Sequence, residues 1–199
     1  MVVSEKLSYT FVSTMKCATN TMYELLTKHY CGKRVGDYHC RDPRFIDPDR
    51  FTFTICRNLF VRAVSIWWST CMRGKDRYGF RKQCGNGDDF EVFIKWVVRQ
   101  KERPGLIQNQ TEWQSPIEFD RVLHLEKFRH EFAQLPFVED PPADLPALNI
   151  TFFDRKPAQR YLTPAAVEAI LEWGDPDFDR FGYAREVPAL TKDIGVGEA

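Results

Sequence analysis

The stretch Ser8–Leu26, SYTFVSTMKCATNTMYELL, constrains the fold of this chain more than any other. Tyr9–Ser13 has the aromatic and β-branched residues of a short buried strand. Met22, Leu25, Leu26 and Tyr30 fall at i, i+3, i+4 and i+8, one buried face of a helix from about Thr19 to Tyr30. Thr19 or Asn20 can cap its start, and Gly32 follows its end. The turn between strand and helix holds Lys16 and a run of small and hydroxyl residues: Cys17, Ala18, Thr19, Asn20 and Thr21. Backbone N–H groups at a helix start, beside a cation and hydroxyls, make a site for a phosphate group. The spelling G-x-x-x-x-G-K-[ST] occurs nowhere, which excludes an ordinary ATP-type phosphate loop.

A second strand–turn–helix unit follows. Phe51–Cys56, FTFTIC, is a strand. Arg57 stands at its end, and Asn58 can cap a helix carrying Phe60, Val61, Val64, Trp67 and Trp68 on one side. Residues 31–50 between the units are polar and read as a loop, as do the basic, glycine-containing residues 71–87. Asp88 with Glu91 forms a capping-box start for a helix with Phe90, Phe93, Ile94 and Val97. Residues 106–119 read as irregular. Arg121–Leu125 is a short strand, and Phe128, Phe132 and Leu135 mark a helix after it. Four prolines make Pro136–Pro146 a connection, and Asn149–Phe153 is a candidate last strand. Thr163-Pro164 starts a helix that should stop at Trp173-Gly174. Strands alternating with helices imply an α/β fold: a P-loop-like central parallel sheet flanked by helices. In such sheets ligands sit at the C-terminal ends of strands, where Lys16 and Arg57 stand. The expected organisation is one domain over residues 1–187 with a loose tail over 188–199.

Lys plus Arg and Asp plus Glu each number 28, so no global charge steers nucleic acid or a membrane, and any anion site is local. No run of ~18 apolar residues exists to span a bilayer. MVVSEKLSYTF does not read as a signal peptide, so the expectation is a cytoplasmic protein. In that compartment the six cysteines are expected as thiols, although Cys71 and Cys84 flank one loop and could be bridged. There is no C-x-x-C pair to indicate zinc.

Three segments together resemble the sulfotransferase family, which uses the donor PAPS (3′-phosphoadenosine 5′-phosphosulfate). Lys16-Cys17-Ala18-Thr19-Asn20-Thr21 resembles its 5′-phosphosulfate loop, usually K-T-G-T-T. Arg57-Asn58-Leu59-Phe60-Val61-Arg62-Ala63-Val64-Ser65 resembles its 3′-phosphate motif, usually R-N-P-x-x-R-x-x-S. Asp177-Phe178-Asp179-Arg180-Phe181-Gly182-Tyr183 resembles its D-F-x-x-F-G-Y signature. Val122–Phe128, VLHLEKF, is a looser match to V-x-x-x-E-x-L. Ala18 for glycine, Asn20 for threonine and Leu59 for proline depart from the pattern but remove no charged group; Ala18 leans toward the carbohydrate-sulfotransferase variant.

The resemblance implies a PAPS-dependent sulfotransferase that releases PAP, adenosine 3′,5′-bisphosphate, and needs no metal. Lys16 would contact the 5′-phosphosulfate and its bridging oxygen. The backbone of residues 17–21, with the Thr19, Asn20 and Thr21 side chains, would hold the 5′-phosphate. Arg57 and Ser65 would hold the 3′-phosphate. Arg155, Lys156, Arg160 and Tyr161 resemble a late basic segment that closes over the nucleotide. His39, in the loop before the second strand, resembles the catalytic histidine of several carbohydrate sulfotransferases; a neutral imidazole can take the acceptor's proton. Asp37 and Asp42 are the competing bases, whereas His29, His124 and His130 read as structural. The acceptor would be a hydroxyl compound, a carbohydrate or other alcohol, and the basic, aromatic stretch Arg73–Lys82 could grip an anionic sugar. The lack of an anchor sets the chain apart from Golgi relatives and fits a prokaryotic or viral setting. The alternatives are a kinase-like phosphate-loop protein and a non-catalytic nucleotide-binding protein.

Overall fold

A computed structural model describes residues 1–72, 79–85, 87–142 and 158–188. Among these, five strands occur in chain order: β1 (Val2–Ser4), β2 (Tyr9–Phe11), β3 (Lys33–Arg34), β4 (Phe51–Cys56) and β5 (Arg121–His124). The helices are α1 (Thr19–His29), α2 (Leu59–Trp67), α3 (Phe80–Gln83), α4 (Phe90–Arg99), α5 (Gln110–Gln114), α6 (Phe128–Phe132) and α7 (Pro164–Phe181). The described residues form two compact units. One takes Met1–Arg57 together with residues 114–142; the other takes the described part of Asn58–Trp113 together with residues 158–188.

The first unit is built on the sheet, in the order β3-β1-β2-β4-β5. Its right half is parallel, with Phe11 opposite Phe53 and Cys56 opposite His124. Its left half is not. β1 runs antiparallel to β2, pairing Val2 with Phe11, and β3 runs antiparallel to β1. The sheet is therefore mixed, which corrects the all-parallel expectation. The reason is local: Val2 and Val3 fold back on Tyr9–Phe11 through a tight turn in which Leu7 N donates to Ser4 Oγ (3.2 Å). Strands of two or three residues carry no legible period, so β1 and β3 were hidden in segments that read as polar.

Alternation along β2, β4 and β5 puts Tyr9, Phe11, Phe53, Ile55 and Leu123 on one face. Met22, Leu25 and Leu26 of α1 and Phe132 of α6 cover that face. The Tyr9 phenol donates to the Tyr30 carbonyl (2.9 Å), tying the end of α1 to the sheet. The side chain of β2 expected at Ser13 stays buried, but ladder pairing as a strand ends at Phe11.

The second unit is helical. Asn58 caps α2 by accepting from Phe60 N (3.1 Å), as expected. For α4 the cap is Asp89, one residue later than expected; its Oδ1 accepts from Glu91 N (2.8 Å) and Val92 N (3.3 Å). Thr163 caps α7, accepting from Ala166 N (3.1 Å), with Pro164 in the first turn. The expected stop at Gly174 is not a stop: α7 continues through Gly174 and Pro176 to Phe181. Gly174 is needed for packing, since a Cβ there would lie 1.9 Å from Leu59 Cδ2. The real stop is Gly182, left-handed at φ 66°, with Tyr183 N donating to Phe178 O (3.1 Å). Residues 106–119, expected to be irregular, contain α5. The candidate strand Asn149–Phe153, the tail beyond residue 188 and residues 73–78 of the basic stretch Arg73–Lys82 lie outside the described residues.

Candidate functional site

The loop between β2 and α1 is held from below. Thr54 Oγ1 donates to Val12 O (2.7 Å), so in its contact with Thr14 Oγ1 (3.1 Å) Thr14 is the donor. Gln114 Nε2 also donates to Thr14 Oγ1 (3.0 Å). The Thr14 carbonyl accepts from Cys17 N (3.2 Å) and from Thr19 Oγ1 (3.2 Å). The Thr54 and Thr19 hydroxyls thereby fix backbone, and the Thr14 hydroxyl joins the side chains of Thr54 and Gln114. Above it, Lys16 (φ 67°) and Ala18 (φ 53°) are both left-handed. Neither is glycine, so each costs of order 1–2 kcal/mol. Ala18 is the N-terminal cap of α1 and offers no side-chain acceptor, which corrects the expected Thr19 or Asn20 cap. The first intrahelical bond is Met22 N to Ala18 O (3.0 Å), and helix geometry directs the preceding N–H groups outward.

The loop residues separate into two groups. Lys16, Ala18, Asn20 and Thr21 are half-buried at the surface. Cys17 is fully buried in the sheet–helix core, and Thr19 is nearly so. Cys17 and Thr19 thus close the loop rather than present their side chains to a ligand. Arg57 follows β4, and its Nη1 donates to the Lys16 carbonyl (3.2 Å). The two cations predicted from sequence meet here, with the guanidinium bracing the strained residue that carries the ammonium.

His39 also comes to this loop. Its Nδ1 lies 3.2 Å from Ser13 Oγ, at the root of the loop. Ser13 Oγ is in turn 3.0 Å from the Tyr23 phenol, which donates to the Tyr38 carbonyl. Arg34 stacks over the Tyr23 ring, 4.6 Å from its centre. Burial pushes the His39 pKa down to about 4, helped by the positive charges of the Met1 amino group and Lys16. The imidazole is neutral at physiological pH. The competing carboxylates are placed differently. Asp42 caps the turn Pro43–Phe45 and pairs with Arg44, which holds its carboxyl below the usual range. Asp37 is exposed, and its carbonyl closes a turn with Cys40 N (3.0 Å).

The remaining predicted residues are described on their own elements. Ser65 belongs to the second unit, on α2; it is fully buried, and among the described residues its hydroxyl has no hydrogen-bond partner. Arg160 is exposed on the turn Ala158–Tyr161 of the same unit. Arg155 and Lys156 lie outside the described residues. His124 ends β5, and Glu131 accepts from both its backbone N (2.5 Å) and its Nδ1 (3.1 Å), a clasp between β5 and α6 in keeping with a structural role.

Two residues of the quoted motifs have roles the sequence did not disclose. Arg62 is fully buried, donating Nη1 to the Gln108 carbonyl (3.0 Å) with its guanidinium 5.4 Å from the Trp173 ring centre. Asp177 is fully buried and caps α5 across 67 residues of chain, accepting from Gln110 N and Thr111 N (both 2.7 Å). The signature at 177–183 is thus a structural unit: a remote cap, two packed phenylalanines and a glycine stop. Among the described residues no cluster of three His, Cys, Asp or Glu side chains is arranged to hold a metal, and no helix is long and apolar enough to cross a membrane. All six cysteines are unbridged.

Comparison of the chain with protein-family models, with curated proteins and with solved structures found no match in any of the three.

Proposed function

We propose that the chain is a PAPS-dependent sulfotransferase with a P-loop-like nucleotide site, acting on a hydroxyl acceptor. The observation that carries this reading is the meeting of three candidate site residues, far apart in sequence, at one loop. Lys16 lies in the loop, Arg57 donates to its carbonyl, and His39 is bonded to Ser13 at its root. The residues suit a polyanionic donor. The paired left-handed conformations turn the loop into the start of α1, where N–H groups and the helix dipole favour an anion. Lys16 and Arg57 add positive charge where phosphate oxygens would be held.

PAPS supplies an activated sulfuryl group, and the sulfur–oxygen bond to its 5′-phosphate breaks as the acceptor oxygen bonds to sulfur. The chain's own part is threefold. The N–H groups of residues 18–21 hold the 5′-phosphate, and Lys16 stabilises charge on the departing phosphate oxygen. His39 takes the acceptor's proton, becoming imidazolium. With a pKa of about 4 the imidazole is a weak base. A multiply negative donor beside Lys16 would offset the positive charges that depress it and raise it toward neutrality. The roles of Ser65, Arg155, Lys156 and Arg160 rest on the resemblance alone, as does a carbohydrate or other alcohol as acceptor.

The test is His39→Ala with labelled PAPS and a panel of sugar and alcohol acceptors. Turnover should fall by ~100-fold or more, while adenosine 3′,5′-bisphosphate still raises the melting temperature. Turnover close to wild type removes His39 from the mechanism. Stabilisation by ATP with magnesium, and none by the bisphosphate, overturns the sulfotransferase reading in favour of a kinase-like one.

A further inference from the structure

The hydrogen bonds around His39 carry more than its position. A backbone carbonyl can only accept, so the Tyr23 phenol proton is committed to the Tyr38 carbonyl. The Tyr23 oxygen also accepts from the Met1 amino group (3.1 Å), and with its own proton on Tyr38 O it can only accept in its contact with Ser13 Oγ (3.0 Å), so there the Ser13 hydroxyl is the donor. With its one proton given to Tyr23, Ser13 can only accept from the ring nitrogen 3.2 Å away. That nitrogen is His39 Nδ1. We infer that Tyr38 O, Tyr23 and Ser13 form a one-directional relay that fixes His39 as the Nδ1–H tautomer, with Nε2 bearing the lone pair. Burial raises the Tyr23 pKa, so the phenol keeps the proton on which the direction depends. Arg34 over the Tyr23 ring holds that ring in place.

Ser13 and Tyr23 are thus positioning residues. They decide which ring nitrogen can accept a proton and keep it the same one in every molecule. An imidazole side chain in water favours the opposite form, with the proton on Nε2. The relay supplies the tautomer that a base acting through Nε2 requires, and this catalytic use rests on the sulfotransferase reading. The tautomer itself does not.

The measurement is a long-range ¹H–¹⁵N correlation spectrum of the ¹⁵N-histidine protein at neutral pH. His39 is assigned by the signal missing from His39→Gln. The wild type should show a protonated Nδ1 and an unprotonated Nε2. Ser13→Ala and Tyr23→Phe should each shift the ratio toward Nε2–H; Tyr23→Phe keeps the ring and its packing. In the transfer assay the same variants should lose ~10-fold or more in kcat with donor KM little changed. Nε2–H in the wild type, or an unchanged tautomer in both variants, overturns the relay whatever the activity. Nδ1–H in a protein that transfers no sulfate upholds the relay and overturns the sulfotransferase reading.

Discussion

Lys16 and Ala18 turn left-handed within three residues of one another, and strain of that kind persists only where neighbours impose it. Here the imposing groups are the Thr14 carbonyl, which gathers Cys17 N and Thr19 Oγ1, and Arg57, which holds Lys16 O. Ala18→Gly relieves one of the two strained residues without touching these bonds. It should stabilise the protein by about 1 kcal/mol, read as a higher urea midpoint. His39 makes a prediction in pH. Its folded pKa of about 4 lies below the ordinary 6.5, so the unfolded chain takes up its proton first. The stabilisation is whole above pH ~6.5 and is lost as pH falls toward ~4, at most about 3 kcal/mol. His39→Gln should flatten that limb of the stability–pH curve. At this scale the sequence pointed to residues that do meet: Arg57 bonds to Lys16, and His39 bonds at the root of the same loop. It could not tell that Cys17 and Thr19 turn inward, because a cysteine or threonine is spelled the same whether it faces a ligand or a core.

The helices obey their caps more than their glycines. Thr163, Asn58 and Asp89 are each readable as starts, the last to within one residue, since a side-chain acceptor before an apolar run leaves little choice. Gly174 misled for a physical reason: a glycine that ends a helix and one that admits a neighbouring side chain look alike in sequence. Gly174→Ala should cost ~1–3 kcal/mol by overpacking against Leu59. Leu59→Ala in the same molecule should recover part of the loss, a coupling that a double-mutant cycle measures. Asp177→Ala strips two backbone donors of their shared acceptor. It should cost about 2 kcal/mol or more by denaturation, and raise amide exchange at Gln110 and Thr111 first. No local signal announces Asp177, because its partners lie far away in sequence. The short strands β1 and β3 were illegible for the same kind of reason: pairing across the sheet, not propensity, creates them.

Over the molecule as a whole, α/β character was legible from the two strand–turn–helix units, and the mixed sheet was not. The thiols offer a global check. Cys31 is exposed, Cys40 and Cys84 are partly so, and Cys17, Cys56 and Cys71 are buried. A thiol reagent should label Cys31 first and the buried three only on unfolding. The interleaved make-up of the two units has a further consequence, for synthesis on the ribosome. β4 is the middle of the parallel half-sheet, yet its partner β5 begins only at Arg121. The whole segment Asn58–Trp113, which belongs to the other unit, is translated in between. At ~5–20 residues per second that delay is on the order of ten seconds or less. Throughout it the apolar edge of FTFTIC has no strand to pair with. A nascent chain stalled before Arg121 should therefore bind holdase chaperones or aggregate through β4, and one stalled well past Phe132 should not.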